Sequence, residues 1–242
     1  MYIPALLQDN APQIRDIDPD AREVRFDKNP WHDIFRQVWE AAEQQVPHYH
    51  RVLEEFPDGV LTAASLSRFR HPPIQDLAEG RIVDLEGMLR LKELCLLTIM
   101  WTYGQEENGL GQAAIISNKD AETMPSDALN NCYYGGIGAA YMKLSAMMGA
   151  PLKAECCTNF LYFLCRGLHA FIKPLPVDKA ISIGVRTVDP AVRTTYIHQI
   201  IARDHWEDYA EYLMLMHNWA SRIRCRPDQV AEFLRIRGEQ HE

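Results

Sequence analysis

Glu93 is the residue around which chemistry is most easily built. It stands in the run LRLKELCLLTIMW, and on a helix its neighbours at spacings of three and four are Leu89, Arg90, Leu96 and Leu97. Apolar surroundings favour the protonated form of a carboxyl group, which is what a proton shuttle near neutral pH needs. The plainer reading is an interfacial Glu paired with Arg90, and burial decides between the two. Upstream, Arg68, Arg70 and His71 form a basic cluster ahead of two prolines. A guanidinium fork binds a carboxylate through two parallel hydrogen bonds, so this cluster suits an acidic substrate, or else a salt bridge to the acidic excess of the chain. Glu79 and Glu86 are the next candidates should Glu93 face solvent.

Other constellations are weaker. Gly135, Gly136 and Gly138 in YYGGIGAAY lack the strand before and the Lys-Ser/Thr after that a phosphate loop requires. Tyr133 and Tyr134 beside them suit the wall of an aromatic pocket, or simple packing. His198, His205, Asp208, Glu211 and His217 fall late in the chain. They do not supply the Glu-x-x-His pairs that a two-metal helical centre takes from two helices, so no metal is expected. No G-x-S-x-G elbow is present.

The elements that must carry these side chains read as helices. Asn29-Pro30 opens one as N-cap and first helical residue, and Trp31, Ile34, Phe35, Val38, Trp39 and Ala42 give it one apolar face. The strongest helix runs from about 84 to 103 and is apolar nearly all round in its second half. Two more are expected over 126–149 and 152–166. A short one covers 61–69, and three late ones start at Asp189-Pro190, at His205 and at Pro227. The segment 105–125 reads as a polar connection, Pro174 and Pro176 mark a loop, and ISIGV at 181–185 is a short strand signal. Residues 1–28, rich in Pro and Asp, read as an extended arm. The expectation is an all-α chain: this arm, then one helical catalytic domain over 29–242.

Bulk properties narrow the class. The chain has 242 residues, a net charge of -8 and 47% hydrophobic residues. An acidic chain repels phosphate backbones, which argues against nucleic acid as a partner. No apolar run reaches the length of a bilayer span, and the N-terminus lacks the pattern of a secretory signal, so a cytoplasmic location is expected. The six cysteines form no C-x-x-C pair and read as small buried hydrophobes.

Three phrases in succession carry a family resemblance: LCLLTIMWTYG at 94–104, MPSDAL at 124–129 and KLSAMMGAPLKAECCTNFLYFL at 143–164. In order and spacing they resemble the indoleamine dioxygenase superfamily. That family's haem-bearing histidine phrase, near the end of a longer chain, is absent. The Arg68-to-Glu93 stretch looks like the Arg-to-Glu segment of the bacterial β-carboline-forming Pictet–Spengler cyclases, which are cofactor-independent homodimers. This resemblance implies condensation of tryptophan with an aldehyde or oxo-acid. Glu93 is then the proton shuttle and Arg68 the carboxylate anchor. Arg70, His71, Trp101, Tyr103, Tyr133 and Tyr134 line the indole pocket, and no cofactor is required. The alternatives are a haem oxygenase with His205 or His217 as axial ligand, a di-iron oxygenase, and a non-catalytic helical interaction protein.

Overall fold

The structure is a computed structural model, and it describes residues 2–44, 46, 51–66, 84–104, 107–117, 124–132, 136–148, 154–166, 172–190 and 205–241. Among them the fold is all-α, with twelve α-helices and one two-stranded ribbon. The helix that organises the rest is α5, Leu85–Tyr103. Asp84 caps it by accepting a hydrogen bond from the Gly87 amide at 2.8 Å. From Leu91 to Trp101 every residue is buried, as the absence of a polar stripe requires. Around it pack α3 (Lys28–Glu43), α4 (Ala63–Leu66), α6 (Glu107–Ser117), α7 (Met124–Asn130) and α9 (Ala154–Cys165). The helix α8 (Gly136–Met148) lies against α7 and α9.

A second group closes the molecule. α10 (Lys179–Val188), α11 (Trp206–Ile223) and α12 (Pro227–Glu239) pack together around α12. The α10–α12 approach is the tightest among the described residues. A Cβ placed on Gly184 would fall on the Leu234 carbonyl, and one on Gly238 would fall on the Ala180 carbonyl. Each helix thus offers a glycine notch to the other's backbone.

Several expectations need correction. Residues 5–16, read as extended, form α1 (Ala5–Asp9) and α2 (Ala11–Asp16), which bury Leu7 and Ile14. α3 starts at Lys28 because the Asp27 carboxylate, and not Asn29, accepts the capping hydrogen bond from the Asn29 amide at 3.1 Å. Pro30 is tolerated because first-turn N–H groups have no helical partner. Residues 60–62 form a strand, β2 (Val60–Thr62), that pairs antiparallel with β1 (Glu23–Arg25), Val24 opposite Leu61. The connection at 105–125 contains the helix α6, and the helix expected over 126–149 is divided between α7 and α8. ISIGV lies inside α10. The helix expected from Asp189-Pro190 falls on residues beyond 190 that lie outside the described set.

Candidate functional site

A proline-bearing strap, residues 172–178, builds the site. Pro174 and Pro176 have no N–H to give a helix, so the segment stays irregular and needs side chains to satisfy its polar backbone. The Tyr209 hydroxyl accepts from the Leu175 amide at 3.1 Å and donates to its carbonyl at 2.8 Å. The Tyr212 hydroxyl donates to the Pro176 carbonyl at 2.9 Å, and the Val177 amide donates to Thr158 Oγ1 at 3.2 Å. His217 Nε2 lies 3.1 Å from the Lys173 carbonyl. Three turns of α11 therefore hold the strap against α9. At its end Asp178 caps α10, accepting from the Ile181 amide at 2.7 Å.

Between the strap, the end of α9 and the start of α12 lies a cleft of about 370 Å³. Tyr162, Pro174, Leu175 and Pro227 give it aromatic and apolar walls, His217 adds an imidazole, and Arg166, Lys173 and Arg226 bring positive charge to it. Asp228 stands among them. Behind Tyr162 and Asp228 a narrow recess continues past Trp101, Arg22, Pro176 and Glu232. The cations are held in place. Arg166 pairs with Asp20 and lies over the Tyr162 ring, 5.4 Å from its centroid. Arg22 lies 4.9 Å over the Trp101 ring.

Burial sets the electrostatics here. It pushes the Asp178 carboxyl above the usual carboxylate range, against the opposing pull of the Ile181 amide and of the Arg22 and Arg235 charges. It also lowers Arg22, an effect that Arg235 reinforces and that Asp178, Glu232 and Glu239 oppose. Both ions of this near-buried group are drawn towards their neutral forms. Burial raises the Tyr162 phenol too, so it stays protonated at neutral pH. Cys165, on the cleft wall, lies 2.7 Å from Cys132 sulfur to sulfur, and all six cysteines are free.

The expected site residues are dispersed. Glu93 is fully buried, accepts hydrogen bonds from Trp39 Nε1 at 3.1 Å and Arg90 at 3.2 Å, and lines neither cleft. Trp101 lines the recess, whereas Tyr103 is buried against Gly109. Arg68, Arg70, His71, Tyr133 and Tyr134 lie outside the described residues. Sequence reading missed Asp178, Tyr162, Arg166, Lys173 and Asp228. The available signal was the phrase PLPVD at 174–178. Two prolines followed by an Asp at a helix start mark a strap ending in an N-cap.

An all-α chain whose cleft of about 370 Å³ has a tyrosine and apolar residues on its walls and arginines and a lysine around it has room for a polar, flat ligand. Residues 18–234 match the family model described as "Putative 8-oxoguanine DNA glycosylase OGG-like protein", and the chain belongs to that family. No curated protein and no solved structure matches the chain.

The family match overturns the resemblance to indoleamine dioxygenases and to Pictet–Spengler cyclases, and with it the tryptophan–carbonyl chemistry and the oxygenase alternatives. The phrases behind that resemblance are mostly buried apolar helix, which many helical folds share. The argument against nucleic acid falls as well, because net charge averages the whole surface and says nothing of a local cluster of cations.

Proposed function

We propose that this protein is a DNA N-glycosylase that removes oxidised guanine, with the extruded base held in the Tyr162 cleft. The observation that carries the reading is the cleft's makeup, with an aromatic face, apolar walls and surrounding cations. An enzyme that acts on a base in duplex DNA must take it out of the stack, and an aromatic side chain replaces the stacking that is lost. Lys173 and Arg166 suit the phosphates that flank the extruded nucleotide.

The bond to be broken joins C1′ of the deoxyribose to N9 of the base. Water attacks C1′, the bonding electrons leave with the base, and the water proton passes to a base and then to the departing purine. Positive charge grows on the sugar as the bond stretches, so a carboxylate near C1′ lowers the barrier. No carboxylate is assigned this place: Asp178 ends the strap and caps α10, and it lines neither the cleft nor the recess.

The test is a duplex oligonucleotide with a single 8-oxoguanine opposite cytosine, treated with alkali after incubation so that each abasic site becomes a strand break. Breaks at the lesion, with an undamaged duplex left intact, are the expected result. An intact lesion strand after incubation with folded protein would defeat the proposal.

A further inference from the structure

We propose that Asp228, together with Arg226, reads the Watson–Crick edge of the base in the Tyr162 cleft and selects bases of guanine type. The inference rests on the cleft being the base site. Asp228 lines both the cleft and the recess behind it. Its Oδ1 is closed to solvent and has no hydrogen-bond partner among the described residues. Arg226 Nε lies 3.1 Å from that oxygen, an ion-pair contact that balances the charge and leaves acceptor positions unfilled. An acidic residue in the first turn of a helix often spends its carboxylate on the backbone. Here Gln229 Oε1 takes the Arg226 amide at 2.9 Å, and no such bond engages Asp228.

The chemistry of the pair sets the choice of base. Side by side, Arg226 offers donors and Asp228 offers acceptors, the order that cytosine presents to guanine. Guanine and its 8-oxo form meet this order with the O6 carbonyl, the N1–H and the C2 amino group. An adenine-type edge turns an unprotonated N1 towards the carboxylate and is repelled. A hypoxanthine-type edge keeps O6 and N1–H but lacks the amino group, which leaves one carboxylate oxygen without a donor. A site built around a hydrogen bond discriminates strongly against the analogue that cannot make it.

The experiment compares excision of 8-oxoguanine and 8-oxohypoxanthine, each opposite cytosine in the same duplex, by the wild type and by Asp228→Asn. The bases differ only in the C2 amino group. The wild type should prefer 8-oxoguanine by about 100-fold. The variant should lose most of that preference through slower removal of 8-oxoguanine, because Asn turns a donor towards the amino group. Equal excision of both bases by the wild type overturns the proposal, and that comparison does not depend on the variant folding. Retention of the full preference by a folded variant overturns it too. If neither base is excised, the glycosylase reading fails, and the pair is judged by tryptophan-fluorescence titration with the two free bases. Tighter binding of 8-oxoguanine that Asp228→Asn abolishes upholds the inference, and equal or absent binding overturns it.

Discussion

Asp178 caps a helix and stands within electrostatic reach of Arg22. Asn caps as well as Asp. Asp178→Asn should therefore keep the cap while removing the titrating carboxyl, and it tests the pH dependence of stability. The carboxyl is raised in the folded state, so between its unfolded value near about 3.9 and its folded value the native protein binds the extra proton. Its contribution is complete at the acid end and is lost as pH rises through the folded value. The stability of Asp178→Asn relative to the wild type should then increase from about pH 4 upward, and urea unfolding across that range reads it. Glu93 is the opposite case. Fully buried and bonded to Arg90 and Trp39, it is assigned a structural role, and Glu93→Gln should cost about 1.5–3 kcal/mol by weakening the hydrogen bonds that its charge receives from them. Full excision activity in folded Glu93→Gln at low temperature, with a lowered Tm, is the expected pair of results. The sequence left its burial open, and its partner on α3 was not legible either, because Trp39 lies 54 residues away in sequence.

Among the elements, α10 and α12 interlock through reciprocal glycines, and this makes a sharp stability prediction. Gly184→Ala or Gly238→Ala forces the helices apart, although alanine is the better helix former. Each should destabilise the fold by about 1–3 kcal/mol, as overpacking does, and more if the backbones cannot shift. Thermal unfolding should show Tm falling by roughly 2–4 °C per kcal/mol for a chain of this size. The same contact explains why α10 was misread. ISIGV alternates as a strand would, yet Asp178 caps it and its small residues let a neighbouring helix in closely. Both the cap and the partner lie outside the five-residue window. α5 was legible because the stretch 94–103, free of charged residues and closed by Gly104, admits one reading, the buried half of a helix.

At the scale of the molecule, the proposed binding to DNA has to overcome an overall charge of -8, so it depends on cations gathered at one place. The DNA association constant should fall as salt rises, with a logarithmic slope of about -0.9 for each phosphate neutralised. Lys173→Ala, at the cleft, should reduce that slope by about one unit and weaken binding alike for damaged and undamaged duplexes. Fluorescence anisotropy between low and moderate salt measures both effects, and an unchanged slope would place Lys173 away from the phosphates. Composition hid this surface because the acidic residues elsewhere outweigh it. The all-helical class survived the reading, since it depends on local periodicity, while the site depends on which distant ends the fold brings together.

Gln229 illustrates that last point. Its side-chain amide donates to the carbonyls of Arg15 at 2.7 Å and Ile17 at 2.9 Å, binding the first helices to the last one. Asp20 reaches Arg166, and Arg22 shares its recess with Glu232 and Asp228. On the ribosome these partners appear in the wrong order. Residues 15–22 leave the tunnel early, and the helix that receives them is translated roughly 200 residues later. At about 5–20 residues per second the delay is on the order of 10–40 s. Throughout that time the early helices are without their final neighbour and the cleft lacks one wall. Until α12 is in place the cleft is open on the side of Arg226, Pro227 and Asp228, and a chain cut short ahead of Pro227 would bury part of its core yet lack that wall.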